Sequence, residues 1–145
     1  MTRQFQTIAA LALGAAALFA GFGALPHSAG AHADDANVKQ VFSKVLPNVP
    51  GKVLSAVVVN YAPGGKSGAH HHSGSVFAYI LSGSIRSQVS GEGEAKVYKA
   101  GESFFEPPGS SHLVSENASA TEPASLIAIF VADDGATLTA PGAAK

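Results

Sequence analysis

At 145 residues, 46% of them apolar, the chain has the size of one ordinary domain and enough hydrophobic material for a single core. Nine basic residues against ten acidic ones, a formal net charge of −1, leave no electrostatic footprint for nucleic acid, so no nucleic-acid partner is expected. The absence of cysteine excludes disulfides, thiolate metal ligands and a cysteine nucleophile together.

Residues 1–33 read as a cleavable secretory signal. Arg3 gives a positive start, Ile8 to Leu25 is apolar, and Ala31-His32-Ala33 is a small-x-small cleavage site, with cleavage placed after Ala33. The apolar stretch is nearly long enough to anchor in a bilayer. Its alanines and glycines make it only weakly hydrophobic and Asp34-Asp35 follows at once, so removal is expected, with export to the periplasm or medium and no stable membrane insertion afterwards. His27 and His32 leave with it.

The remainder, 34–145, is read as one domain. Val38, Val41, Phe42, Val45 and Leu46 fall at helical spacing, but the segment is short and stops at Pro47, and an irregular or edge-strand entry is favoured. After the turn formers Pro47 to Gly51, the β-branched run within Lys52 to Tyr61 reads as a buried strand. Then comes His70-His71-His72. On a strand, side chains alternate between faces, so His70 and His72 point one way and His71 the other. Two imidazoles on one face are half of a metal site, and His112, the only other histidine past the first third of the chain, is the natural third ligand.

Val76 to Leu81 and Ile85 to Val89 flank Ser82-Gly83-Ser84, which reads as a hairpin turn. Gly91 to Glu94 makes the next turn and Ala95 to Lys99 the next strand. Gly101 to Glu106 then leads into Pro107-Pro108-Gly109, whose restricted φ angles stiffen the approach to His112. Ala124 to Val131 is the last convincing strand, and the small residues after Asp133-Asp134-Gly135 read as a loose tail. Short strands with glycine and proline turns and no strong helix indicate an all-β sandwich or barrel.

Glu106 and Gln88 are the polar residues expected to enter the interior. Glu106 is the candidate acid or base, or a carboxylate ligand. Arg86 is a candidate for steering an anion and Tyr79 for a cavity contact, although charged and aromatic residues on strands more often serve solubility and packing. No G-x-S-x-G elbow and no phosphate-binding glycine loop followed by a helix is present.

The spacing of Gly64, His70, His72, Val76 and Gly83 resembles the first motif of the cupin family, with valine at the place of its usual glutamate. Gly101, Pro107, Gly109, His112 and Asn117 resemble the second motif, with the asparagine one place late. The motifs cover 64–117. The resemblance implies a single-domain jelly-roll β-barrel (a double-stranded β-helix) in which His70, His72 and His112 converge inside the mouth on one divalent transition metal, Fe, Mn, Zn, Ni or Cu. Its acidic fourth ligand is missing from position 76. The three-histidine set implies a metal-dependent, dioxygenase-like oxidoreductase acting on a small organic molecule, as in some cupin non-haem iron dioxygenases. A non-catalytic small-molecule-binding module is the alternative, and a homodimer is a family-level expectation. The fold hosts both kinds of protein and does not choose between them.

Overall fold

The computed structural model describes residues 35–143, so the signal expected over 1–33 lies outside the described residues. Among the described residues the regular structure is β-strand only. Eleven strands are formed: β1 (Ala36–Val45), β2 (Lys52–Tyr61), β3 (Lys66–Ser67), β4 (His70–His72), β5 (Ser75–Ser82), β6 (Ser84–Val89), β7 (Lys96–Lys99), β8 (Ser103–Glu106), β9 (Ser111–Asn117), β10 (Ala124–Asp133) and β11 (Thr139–Pro141).

They form two antiparallel sheets. One runs β1-β2-β10-β5-β8, the other β11-β4-β9-β6-β7, with β3 added to β9. This is the expected all-β jelly-roll barrel. Period-two alternation puts Val76, Ala78 and Ile80 of β5 and Leu126, Ala128 and Phe130 of β10 between the sheets, where Val76 and Ile80 are wholly buried with Ile85 of β6.

β1 is an edge strand, and its register against β2 shifts between Gln40 and Phe42. The extra residue there breaks the alternation, which is why the apolar positions of this segment fall at helix-like intervals.

Ser82-Gly83-Ser84 does not close a hairpin. β5 lies in the first sheet and β6 in the second, so the segment is a corner that carries the chain across the barrel. Gly83 has φ +68°, and a Cβ there would lie 2.6 Å from the Pro123 carbonyl oxygen, so both the conformation and the close approach demand glycine. The stretch after Asp133 is not a loose tail throughout. Thr139–Pro141 pairs antiparallel with β4, Thr139 opposite His72 and Pro141 opposite His70, and Gly142 N–H donates to the Ala69 carbonyl at 2.8 Å.

The outer face of the first sheet is apolar across its width. Phe42, Ala56, Ile129, Phe77 and Phe105 stand opposite one another in a row through all five strands. The three phenylalanines of that row are exposed.

Candidate metal centre

β4 and β9 pair so that His70 stands directly opposite His112, and directly opposed residues of an antiparallel pair project to the same face. His72, two residues on from His70, shares that face. The alternation thus gathers three imidazoles at one point of the barrel wall. One nitrogen from each of His70, His72 and His112 lies within 4.8 Å of the others, close enough for the group to hold a metal ion. His72 and His112 are buried and His70 is half-buried. His71 projects away and its Nδ1 lies 3.0 Å from the Gly142 carbonyl.

Backbone groups orient two of the rings. His70 Nδ1–H donates to the Gly68 carbonyl at 2.7 Å and His72 Nδ1–H to the Leu138 carbonyl at 3.0 Å, which leaves each Nε2 with its lone pair toward the interior. Thr139 Oγ1 also lies 3.1 Å from His72 Nδ1. The third ring is held by a side chain as well as by the Val114 backbone. Ser87 Oγ stands 2.8 Å from His112 Nε2, and with the hydroxyl accepting from Nε2–H, Nδ1 is the nitrogen turned to the site.

Burial keeps His72 and His112 neutral. It pulls His72 down from 6.5 to about 4, opposed by the Leu138 carbonyl and helped by His70 and His71 nearby. It pulls His112 down to about 3, with His70 and His72 adding to the effect and a hydrogen bond to the Val114 backbone opposing it. Neutral imidazole is the form that binds a metal.

Glu106, at the end of β8, is the fourth group. Its carboxyl is only 3% exposed, with Oε1 3.4 Å from His112 Nδ1 and Oε2 3.6 Å from His72 Nε2. Those separations are within ion-pair reach, but the two rings are held neutral and the distances exceed those of hydrogen bonds, so no ion pair forms. Burial raises the carboxyl from 4.5 to about 7.

The site opens onto a cavity of about 500 Å³, within the range of small-molecule pockets. Its walls include Val57, Val59, Ala78, Phe104, Leu126 and Phe130, with the Tyr61 hydroxyl bonded to Ser67 and Ser115, each at 2.9 Å.

Three residues expected at the cavity are elsewhere. Gln88 and Arg86 share a parity on β6 opposite to that of the buried Ile85, Ser87 and Val89. Gln88 donates to the Gly93 carbonyl, and Arg86 pairs with Glu116 at 3.3 Å on the exposed surface. Tyr79 stands on the outer face of β5, opposite Ile127. Val76 is buried as its motif position implies, but it is packed into the core and absent from the cavity wall. Sequence reasoning missed Ser87, Thr139 and the Leu138 carbonyl. The parity of Ile85 and Val89 would have found Ser87, whereas no pattern marked the other two.

Among solved structures, the chain is similar to a protein with a double-stranded β-helix domain from Klebsiella pneumoniae, at 23% identity and TM-score 0.57, covering 73% of this chain and 83% of that one. It is also similar to an RmlC-like cupin from Shewanella frigidimarina, at 23% identity and TM-score 0.54, covering 71% and 81%. Against Bacillus subtilis oxalate decarboxylase, a protein with Mn(II) centres, identity is 26% and TM-score 0.51, covering 61% of this chain and 23% of that one. No curated protein matches. The cupin domain family matches residues 57–130, just over half of the chain and the span that holds all three histidines and Glu106, and the chain belongs to that family.

Proposed function

We propose that the chain is an exported, metal-dependent oxidoreductase of the dioxygenase-like kind, acting on a small organic molecule held in the barrel cavity. The observation that carries this reading is the convergence of three imidazoles on the wall of a mainly apolar cavity of about 500 Å³. A bound divalent ion would act there as a Lewis acid for an anionic or enolate group. Among Fe, Mn, Zn, Ni and Cu, the Mn(II) centres of oxalate decarboxylase favour manganese as the first metal to try. His70, His72 and His112 would hold it, Phe104 and Phe130 would exclude water, and the Tyr61 hydroxyl would orient a polar end of the substrate.

The test is metal analysis of tag-free protein, followed by oxygen uptake with a panel of small acids and phenols. Bound metal with substrate-dependent uptake is expected. Tight ligand binding without uptake would make the protein a non-catalytic binding module. In the same assay His72→Ala is expected to remove most of the bound metal and His71→Ala to leave it in place, because only the former ring faces the other two.

Export rests on the sequence of residues 1–33. N-terminal sequencing of the protein from the periplasm or medium is expected to begin near Asp34, and a retained Met1 in purified membranes would refute it.

The homodimer is supported by the row from Phe42 to Phe105. Five strands about 4.8 Å apart make a face roughly 20 Å wide, enough for a two-sheet interface of the order of 800 Å² per partner. Exposed apolar area of that extent is uncommon on a monomer. Phe77→Glu is therefore expected to shift the protein to monomer in sedimentation velocity, while Lys96→Glu, on the other sheet, should not.

A further inference from the structure

We propose that Glu106 is a fourth metal ligand, so that the carboxylate for which position 76 is the usual place comes from the neighbouring strand instead. The inference deepens the metal-binding reading above and rests on it. Three independent observations lead to it.

The first is register. Val76 of β5 and Glu106 of β8 are directly opposed Cα partners in an antiparallel pair. Such residues point to the same face with Cβ atoms about 5 Å apart, so a carboxylate on either strand reaches nearly the same region of the interior. The second is burial without a partner. Glu106 is 2% exposed, and its Oε2 makes no hydrogen bond. A buried carboxylate oxygen without a partner is unfavourable whether the group stays charged or takes up a proton, and a cation would remove that cost.

The third is distance. A carboxyl proton donated to either ring would bring oxygen and nitrogen to about 2.7 Å, yet they stand 3.4 and 3.6 Å apart. Two ligand atoms each about 2.1 Å from a shared ion are separated by about 3.0 Å in octahedral and about 3.4 Å in tetrahedral geometry. The observed spacing fits a shared ion better than a hydrogen bond. Each oxygen also faces a different histidine, as expected of a carboxylate set between two ligands rather than paired with one.

Val76 then has a reason to be apolar. A glutamate at 76 beside Glu106 would bury two carboxylates in one cross-strand pair, and like charges directly opposed repel. Four protein ligands would leave fewer positions for substrate and dioxygen than the three histidines alone.

Titrations of manganese(II), with zinc(II) in parallel, into metal-stripped parent, Glu106→Gln, the exchange Val76→Glu/Glu106→Val, and His72→Ala test this, each with paired thermal melts. Glu106→Gln, nearly isosteric, is expected to weaken metal binding at least tenfold, the low end of what even an outer partner of a metal ligand costs. It should raise the metal-free melting temperature at pH 8, because a buried carboxylate has gone. A purely structural role would lower it. The exchange is expected to restore most of the affinity with the carboxylate on the other strand. If Glu106→Gln binds as tightly as the parent while His72→Ala does not bind, Glu106 is not a ligand and the histidine site stands. If His72→Ala also binds as the parent does, the metal-binding reading itself is overturned. Should the exchanged protein fail to fold, the Glu106→Gln titration decides alone.

Discussion

Metal-stripped protein taken from pH 7 to pH 4 is expected to lose roughly 3 kcal/mol of stability, at close to one proton's slope of about 1.4 kcal/mol per pH unit, and the loss traces to three buried groups. His72 and His112 are held down at about 4 and about 3, so His112 stays neutral in the fold across this range and His72 until the pH nears 4. Once unfolded they take up protons below 6.5. The stability they confer is complete above 6.5 and drains as the pH falls. Glu106 works the other way. Raised to about 7, it is protonated in the fold while its unfolded counterpart has ionised above 4.5, so its contribution is full below 4.5 and is lost as the pH rises through 7. Two protons favouring the unfolded state against one favouring the fold leave a net of one between 4.5 and 6.5. Urea melts at half-unit pH steps would show this directly. In Glu106→Gln the opposing group is gone, so the slope should approximately double over the same interval. A flat profile in the parent would mean that the rings are not buried as neutral imidazoles.

Gly74→Ala is expected to destabilise the protein by more than 3 kcal/mol, enough to lower its melting temperature by roughly 10 °C or more. Gly74 lies in the turn from β4 to β5, and a Cβ there would come within 2.2 Å of the Val131 carbonyl oxygen and 2.8 Å of the Ala132 Cα. Both are backbone atoms of β10, which is hydrogen-bonded to β2 on one side and β5 on the other. A flexible side chain would swing aside, but a central strand cannot. The turn must move instead, and His72 is two residues away, so metal affinity should fall with stability. Gly91→Ala is the control. Its φ is +86° but nothing lies within 4 Å of the added carbon, so only the left-handed backbone is penalised, at about 1–2 kcal/mol. Similar losses in the two variants would show that the turn has room to relax.

The fold and the three histidines were legible in the sequence because both depend on alternation. His70 and His72 share a face on any strand, and two glycine-punctuated motifs fixed the register. The same rule, not carried through, misplaced Gln88 and Arg86: Ile85 and Val89 already marked the inward parity of β6, which makes Ser87 an interior residue and those two exterior. Tyr79 was harder. Val76, Ala78 and Ile80 alternate with Phe77, Tyr79 and Leu81, so both faces of β5 are apolar and no parity is marked. That ambiguity has a cause, since the outer face of this sheet carries its own hydrophobic row. The corner at Gly83 was misread because a short glycine turn looks the same whether the strands it joins pair with each other or enter different sheets. β11 could not be found at all. Three residues ending in proline have no period, and they become a strand only because β4 offers an edge.

The dependence of His72 on that short strand imposes an order of events in time. Leu138 and Thr139 orient the ring, and β11 is the last of the described strands to be synthesised. The cavity walls on β2, β5, β8 and β10 do not depend on β11, whereas both groups that hold His72 Nδ1 lie on it or next to it. Capture of an ion by the proposed centre would therefore be complete only once this strand has docked on β4. The ion of the proposed centre would then be the one available where this strand docks.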